Sequence, residues 1–173
     1  MLFFGRIYRY KGLEYLIKAE PTITKEMPSA KIIIAGTGED FEKYEKTMIN
    51  RDNFIIHNYC IPYKEGAELF HRCSLVVLPY IEASQSGVVP TTYGFKKPVV
   101  VTDVGGIPEI VENGVTGFIV PSKKPRALAD AVVKLLKDEK LRNKMGENGY
   151  KKLASDLSWD KIAEETIKIY DKV

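Results

Sequence analysis

Six short runs of this chain are apolar almost without interruption: residues 2–5 (LFFG), 31–36 (KIIIAG), 53–57 (NFIIH), 74–79 (SLVVLP), 98–103 (PVVVTD) and 117–121 (GFIVP). A strand with one face in water alternates apolar and polar residues. These runs do not alternate, they are rich in β-branched and aromatic residues, and Gly, Pro or polar residues close them. They read as strands buried on both faces, which a parallel sheet sandwiched between helices requires.

The intervening segments supply the helices. Leu13, Leu16 and Ile17 share a face, with Pro21 placed to kink or end that helix. Phe41, Tyr44, Glu45 and Met48 repeat a similar spacing, and residues 68–71 close a short turn. Leu128, Ala131, Val132 and Leu135 form an apolar stripe, followed by two amphipathic segments, EKLRNKMGENGYKKLA and SWDKIAEETIKIYDKV. Strand–helix alternation of this kind gives an α/β fold: a doubly wound, Rossmann-like parallel sheet of about six strands with helices on both faces. In the order 3-2-1-4-5-6, strands one and four are neighbours, and ligands bind where their connections diverge. The loop after Gly5 and the loop after Pro79 are therefore expected to meet.

Composition removes several classes of function. With 173 residues the chain is sized for one domain, read here as spanning 1–173, and a net charge of +3 gives no reason to expect nucleic acid. No apolar run approaches the length of a membrane span, so no direct membrane insertion is expected. Cys60 and Cys73 are too far apart for a C-x-x-C motif, and with His57 and His71 they lack metal-ligand spacing. Reduced thiols and a cytoplasmic location follow as expectations; no metal and no cofactor are expected.

At the switch point the first loop reads GRIYRYKG, residues 5–12. Arg6 and Lys11 are expected to point into the crevice, where a planar fork and a compact ammonium suit a diphosphate. The second loop carries Ser84, Gln85, Ser86 and Gly87. If these open a helix, Ser84 or Ser86 can cap it, its unpaired amides face the crevice, Gly87 admits a phosphate, and Pro90 falls within the first turn. No acidic residue occurs from position 83 to 95. Two readings stay open for that loop alone: an anion cradle, or a tightly turned junction. A second glycine pair, Gly36 and Gly38 in AGTGED, lacks the third glycine of a dinucleotide fingerprint and has Glu39 and Asp40 at the helix start. It reads as a tight turn beside the crevice. Gly105 and Gly106 follow the fifth strand and could border the ligand, and Glu109 could cap or pair locally.

Taken together, FFGRIYRYKGLEYLIKA, AKIIIAGTGED, LVVLPYIEASQSGVVPTTYGFKKPVVVTDVGGIPEIVENGVTGFIVP and LSWDKIAEETIKIYDKV resemble the carboxy-terminal half of group 1 (family 4) glycosyltransferases, enzymes of GT-B fold. The resemblance covers essentially the whole chain and keeps the family's motif order. It implies a retaining, metal-independent enzyme whose carboxy-terminal domain binds a nucleotide-diphosphate sugar as donor substrate. Carried over, Arg6 and Lys11 hold the donor diphosphate and Gly5 and Gly12 frame their loop. Gly36 and Gly38 lie beside the nucleotide, and the segment around Tyr59 and Cys60 borders the base. The loop from Glu82 to Gly87 contacts the transferred sugar and phosphate. The final helix, about residues 158–172 with Trp159, crosses toward an amino-terminal acceptor-binding domain that this segment lacks.

The chain departs from the family in two respects. Many members carry two glutamates seven residues apart across the sugar loop; the second position here is Thr91 and the first is Ala83, with Glu82 one place off. Arg6, Lys11 and Glu82 are the catalytic candidates, with Thr91 at the ribose. The chain also begins at the first strand of the donor domain, so an excised or fragmentary segment, inactive by itself, is expected. The full-length enzyme would work in polysaccharide biosynthesis, peripheral at the inner face of a membrane. The rival readings are a sugar-nucleotide epimerase of GT-B fold, a non-catalytic nucleotide-binding module, and, weakest, a nicotinamide oxidoreductase.

Overall fold

The computed structural model describes residues 1–38 and 40–170. Its six strands are β1 (Leu2–Phe4), β2 (Ile32–Ala35), β3 (Phe54–His57), β4 (Val76–Leu78), β5 (Val99–Thr102) and β6 (Gly117–Val120), each inside one of the six apolar runs. They form one parallel sheet in the order β3-β2-β1-β4-β5-β6. The register pairs Leu2 with Ile33 on one side and with Val76 on the other. The topology reverses at β1 and β4, as the strand pattern predicts.

The lack of alternation in the strands has a direct structural counterpart. Phe3, Ile32, Ile34, Val77 and Val100 face one core, while Leu2, Ala35, Val76, Leu78, Val99 and Val101 face the other. Period-two geometry sends successive side chains to opposite faces, and here both faces are dry. Helices α1 (Leu13–Glu26) and α6 (Pro125–Lys137) cover the first face through Leu13, Leu16, Ile23, Leu128, Val132 and Leu135. The second is covered by α3 (Tyr63–Arg72) and α4 (Val88–Gly94), through Phe70, Val89 and Tyr93. Helix α7 (Glu139–Ser155) spans both cores, with Met145 in the first and Leu153 against the second. Short helices α2 (Glu42–Glu45) and α5 (Ile107–Ile110), the terminal α8 (Trp159–Tyr170) and two 3-10 turns, Arg9–Lys11 and Arg51–Asn53, complete the described elements.

Three local expectations are corrected. Pro21 does not end α1, which runs to Glu26, because residues on both sides of it are anchored in the core: Ile17, Ala19 and Glu20 before it, Ile23 after it. The turn expected at 68–71 is the end of the ten-residue α3, which starts after Pro62 and buries Gly66, Leu69 and Phe70. Helix α2 stops at Glu45 and leaves Met48 to pack from the following turn. Glu39 and residues 171–173, at the end of the segment expected as the final helix, lie outside the described residues.

A fully buried carboxylate on α1 ties the first core to the β2–β3 connection. The Glu20 carboxylate accepts from Asn53 Nδ2 at 2.7 Å, Asn50 Nδ2 at 3.2 Å and Thr24 Oγ1 at 2.9 Å. Three neutral donors replace the water that burial removes.

Candidate functional site

The loops after β1 and β4 meet at the carboxyl end of the sheet. The Ile81 amide donates to the Tyr10 carbonyl at 2.7 Å. Gly12, at φ +66°, lies so close to the Pro79 carbonyl that a Cβ there would overlap it. Beside them the loop after β2 closes up in the same way: Gly36 packs on the Gly5 carbonyl, and Gly38 bridges to Ile7. The glycine pair of AGTGED is thus a tight turn lining the crevice.

The candidate residues fall in three connected depressions. The first, about 470 Å³, is lined by Gly5, Arg6, Gly36, Gly38, Tyr59 and Cys60. It brings together residues from the ends of β1, β2 and β3. An apolar recess shares Phe4 and Ile61 with it and carries Thr91 on its rim. The Thr91 hydroxyl donates back to the Gly87 carbonyl at 2.8 Å. Glu82 is exposed in a separate hollow that shares Tyr8 with the first depression. Lys11 and the loop from Ser84 to Gly87 line none of the three.

Arg6 is exposed and has no ion-pair partner among the described residues. Lys11 is half-buried instead of projecting freely: its Nζ sits 3.8 Å over the Tyr80 ring centroid and 5.1 Å from that of Tyr10. Burial pushes its pKa below the usual lysine range, and Tyr10 partly opposes that shift. Tyr80, 1% exposed, is the residue sequence reasoning missed. Its carbonyl accepts from Thr102 Oγ1 at 2.6 Å and Ser122 Oγ at 3.1 Å, and its hydroxyl lies 3.3 Å from Ser86 Oγ. An aromatic directly after the Pro that closes an apolar run was the available signal.

The expected serine cap is absent. The residue preceding α4 is Gly87, with no side-chain cap; Ser86 is buried against Tyr80, and the Ser84 carbonyl accepts from the Gly106 amide at 2.9 Å. Gly105 and Gly106 accordingly brace the loop from behind, against Ala83 and Ser84. The loop nonetheless leaves a run of free donors: the amides of Ser84, Gln85, Ser86, Gly87 and Val88 have no acceptor among the described residues. Pro90 lies in the first turn of α4, as expected. Gly87 has an ordinary φ of −64°, and a Cβ on it would meet nothing within 4 Å.

A polar cluster flanks the Tyr59 side of the first depression. Tyr59 donates to Glu65 Oε1 at 2.6 Å, and His57 Nδ1 is 2.9 Å from both the Tyr59 oxygen and Glu65 Oε1. With the phenol hydrogen committed to Glu65, Nδ1 carries the hydrogen it shares with these oxygens. The same hydrogen bond raises the Tyr59 pKa. His71 lies edge-on to Phe95, and Glu109 is exposed without a side-chain partner among the described residues. Among the described residues no group of three or more His, Cys, Asp or Glu is gathered as metal ligands. No described helix is long and apolar enough to cross a membrane.

The family model for glycosyl transferases group 1 matches residues 1–152. An alpha-D-kanosaminyltransferase of Streptomyces kanamyceticus is 31% identical over all of this chain and 45% of its own length. The Anabaena protein HepE, solved in complex with UDP, superposes with a TM-score of 0.86 at 20% identity, over 99% of this chain and 48% of that one. The C-terminal domain of a group 1 family glycosyl transferase from Francisella tularensis superposes with a TM-score of 0.81 at 23% identity. That match covers 91% of this chain and 85% of the solved domain. The chain spans 44% to 48% of the length of the first curated relatives it matches.

Proposed function

The chain belongs to the group 1 glycosyl transferases, and on that premise we propose that it is the donor-binding domain of an enzyme that moves a sugar from a nucleoside-diphosphate sugar to an acceptor hydroxyl. The observation that carries this reading is the run of unpartnered amides from Ser84 to Val88, standing at the switch point beside the loop of Arg6 and Lys11. Five clustered donors without a protein acceptor suit an anion. The nucleoside lies in the depression of Gly36, Gly38, Tyr59 and Cys60, with Thr91 at the ribose. The diphosphate lies against Arg6, Lys11 and the amides.

Charge accumulates on the leaving diphosphate as the glycosidic bond breaks. Donors already fixed in place stabilise it without reorganising, which is electrostatic catalysis. Arg6 offers its fork from solvent. Lys11 begins partly desolvated on Tyr80, so a bound dianion meets an ammonium with less water to shed than a free lysine has. Glu82 sits at the far end of the loop, where the sugar would project. In this reading the chemistry is retaining and metal-independent.

The length of the relatives supports a second, acceptor-binding domain as partner, which brings the hydroxyl into place on closure. Helix α8 suits a crossing toward it: none of its residues is buried, and Trp159 is 85% exposed. A cytoplasmic setting and a role in polysaccharide assembly complete the proposal. The test is calorimetric titration with UDP, GDP and ADP, in Mg²⁺ and in EDTA, of this chain and its Arg6→Ala variant. Metal-independent binding of one diphosphate that weakens in Arg6→Ala is expected; affinity unchanged by that substitution would refute the assignment. A non-catalytic nucleotide-binding module would bind equally well but support no transfer in the two-domain enzyme.

A further inference from the structure

Resting on the donor reading above, we propose that Tyr80 is a positioning residue for the diphosphate: a single ring that holds Lys11 on its face and the loop of free amides by its hydroxyl. Tyr80 itself is 1% exposed and acts only through these two neighbours. It stands directly after Pro79, where the loops from β1 and β4 meet.

The backbone of Tyr80 is a fixed post. Its carbonyl accepts from Thr102 Oγ1 at 2.6 Å, at the end of β5, and from Ser122 Oγ at 3.1 Å, in the turn after β6. The following amide, that of Ile81, donates to the Tyr10 carbonyl. From this post the ring serves two partners in different directions. Lys11 Nζ lies 3.8 Å over its face, and Ser86 Oγ lies 3.3 Å from its hydroxyl.

A tyrosine here could be core filling alone, and two observations weigh against that. Phenylalanine would fill the same space without a hydroxyl, whereas a buried phenol must find a partner. The partner it has is Ser86, in the middle of the five free amides. The second observation is Lys11, whose ammonium is partly stripped of water without gaining a carboxylate. No ion pair to it occurs among the described residues; it faces the rings of Tyr80 and Tyr10. A ring face offsets part of that cost, and an arriving anion supplies the rest.

The amide loop is tethered at two points, the Ser84 carbonyl on the Gly106 amide at 2.9 Å and the Ser86 hydroxyl on Tyr80. The spacing between ammonium and amides is therefore set before a ligand binds, through one side chain that joins two loops far apart in sequence. A diphosphate then meets donors that need no further ordering.

The test compares Tyr80→Phe, Tyr80→Leu and Ser86→Ala with the parent chain, by NMR without ligand and by calorimetric titration with inorganic pyrophosphate and with UDP. Without ligand, the ring current should hold the Lys11 ε-methylene signal upfield in the parent, Tyr80→Phe and Ser86→Ala, and release it in Tyr80→Leu. Tyr80→Phe keeps the ring and its packing, so it decides the matter even if Tyr80→Leu does not fold. Its amide signals from 84 to 88 should move, and both affinities should fall about three- to tenfold, the worth of one hydrogen bond. Ser86→Ala should match it, and the double variant should bind no worse than either single one, as two ends of one contact require. Tyr80→Leu should bind more weakly still, because Lys11 is released as well. Parent-like affinity in Tyr80→Phe would mean core filling and overturn the proposal, as would losses that add in the double variant. If the parent binds neither pyrophosphate nor UDP, the donor reading fails and takes this proposal with it.

Discussion

Two glycines of the crevice are predicted to be glycine for different reasons, and one pair of substitutions separates them. At Gly12 the backbone is left-handed, and a Cβ would overlap the Pro79 carbonyl, part of the junction that joins the two switch-point loops. Gly12→Ala therefore costs about 1 kcal/mol for the left-handed backbone and about 1–3 kcal/mol for displacing a packed main chain. A loss of about 2–4 kcal/mol in a domain of this size lowers the Tm by roughly 5–15 °C. At Gly87 neither penalty applies, because φ is −64° and the space is open. Gly87→Val changes stability by within about 1 kcal/mol, the worse helix start being partly offset by a less flexible unfolded chain. Its isopropyl group instead fills the approach to the free amides. Calorimetric unfolding and UDP titration on both variants provide the test. Gly12→Ala should melt early, while Gly87→Val should melt normally and lose most of its diphosphate affinity. An unchanged Tm for Gly12→Ala would refute the packing account, and undiminished affinity in Gly87→Val would remove the phosphate from this loop.

Three further predictions concern single groups. Glu20→Ala removes the acceptor of half-buried Asn53 and of exposed Asn50 and should cost about 1–3 kcal/mol in urea unfolding; a loss under about 0.5 kcal/mol would show that water replaces the carboxylate. Burial lowers the Lys11 pKa, so its ammonium is lost at lower pH than that of an ordinary lysine. Diphosphate affinity should accordingly fall on the alkaline side earlier than free-lysine behaviour predicts, and Lys11→Arg should abolish that limb. The unfolded chain holds this proton more tightly, so Lys11 burdens the fold below its lowered pKa, and the burden lifts as pH rises toward the unfolded value. Cys60 is exposed on the donor depression, whereas Cys73 is buried, donates to the Phe70 carbonyl and has its thiol pKa raised by burial. Iodoacetamide on the native chain should modify Cys60 alone, and UDP should slow it; equal labelling of both thiols would contradict the burial of Cys73.

The six strands, their parallel order and the meeting of the loops after Gly5 and Pro79 were all legible in the sequence, because they follow from local properties. Continuous hydrophobicity over four to six residues demands two covered faces, and the chirality of parallel connections leaves few orders to choose from. Arg6 and the two glycine turns could be placed on the same grounds, since a strand end determines where the next residues emerge. What the sequence alone did not determine is where each side chain goes once it leaves the strand. Ser86 turned inward to Tyr80 rather than capping α4, and Lys11 settled on that same ring. Pro21 stayed inside a helix held by its neighbours in the core, and Glu20 found its partners about thirty residues downstream. Tyr8, Tyr10 and Tyr15 come from a loop and a helix that only the packing of α1 on the sheet brings beside Lys123. Period and composition act over one or two turns of chain, whereas hydrogen-bond partners and ring contacts are chosen among groups distant in sequence, and the tertiary structure makes that choice.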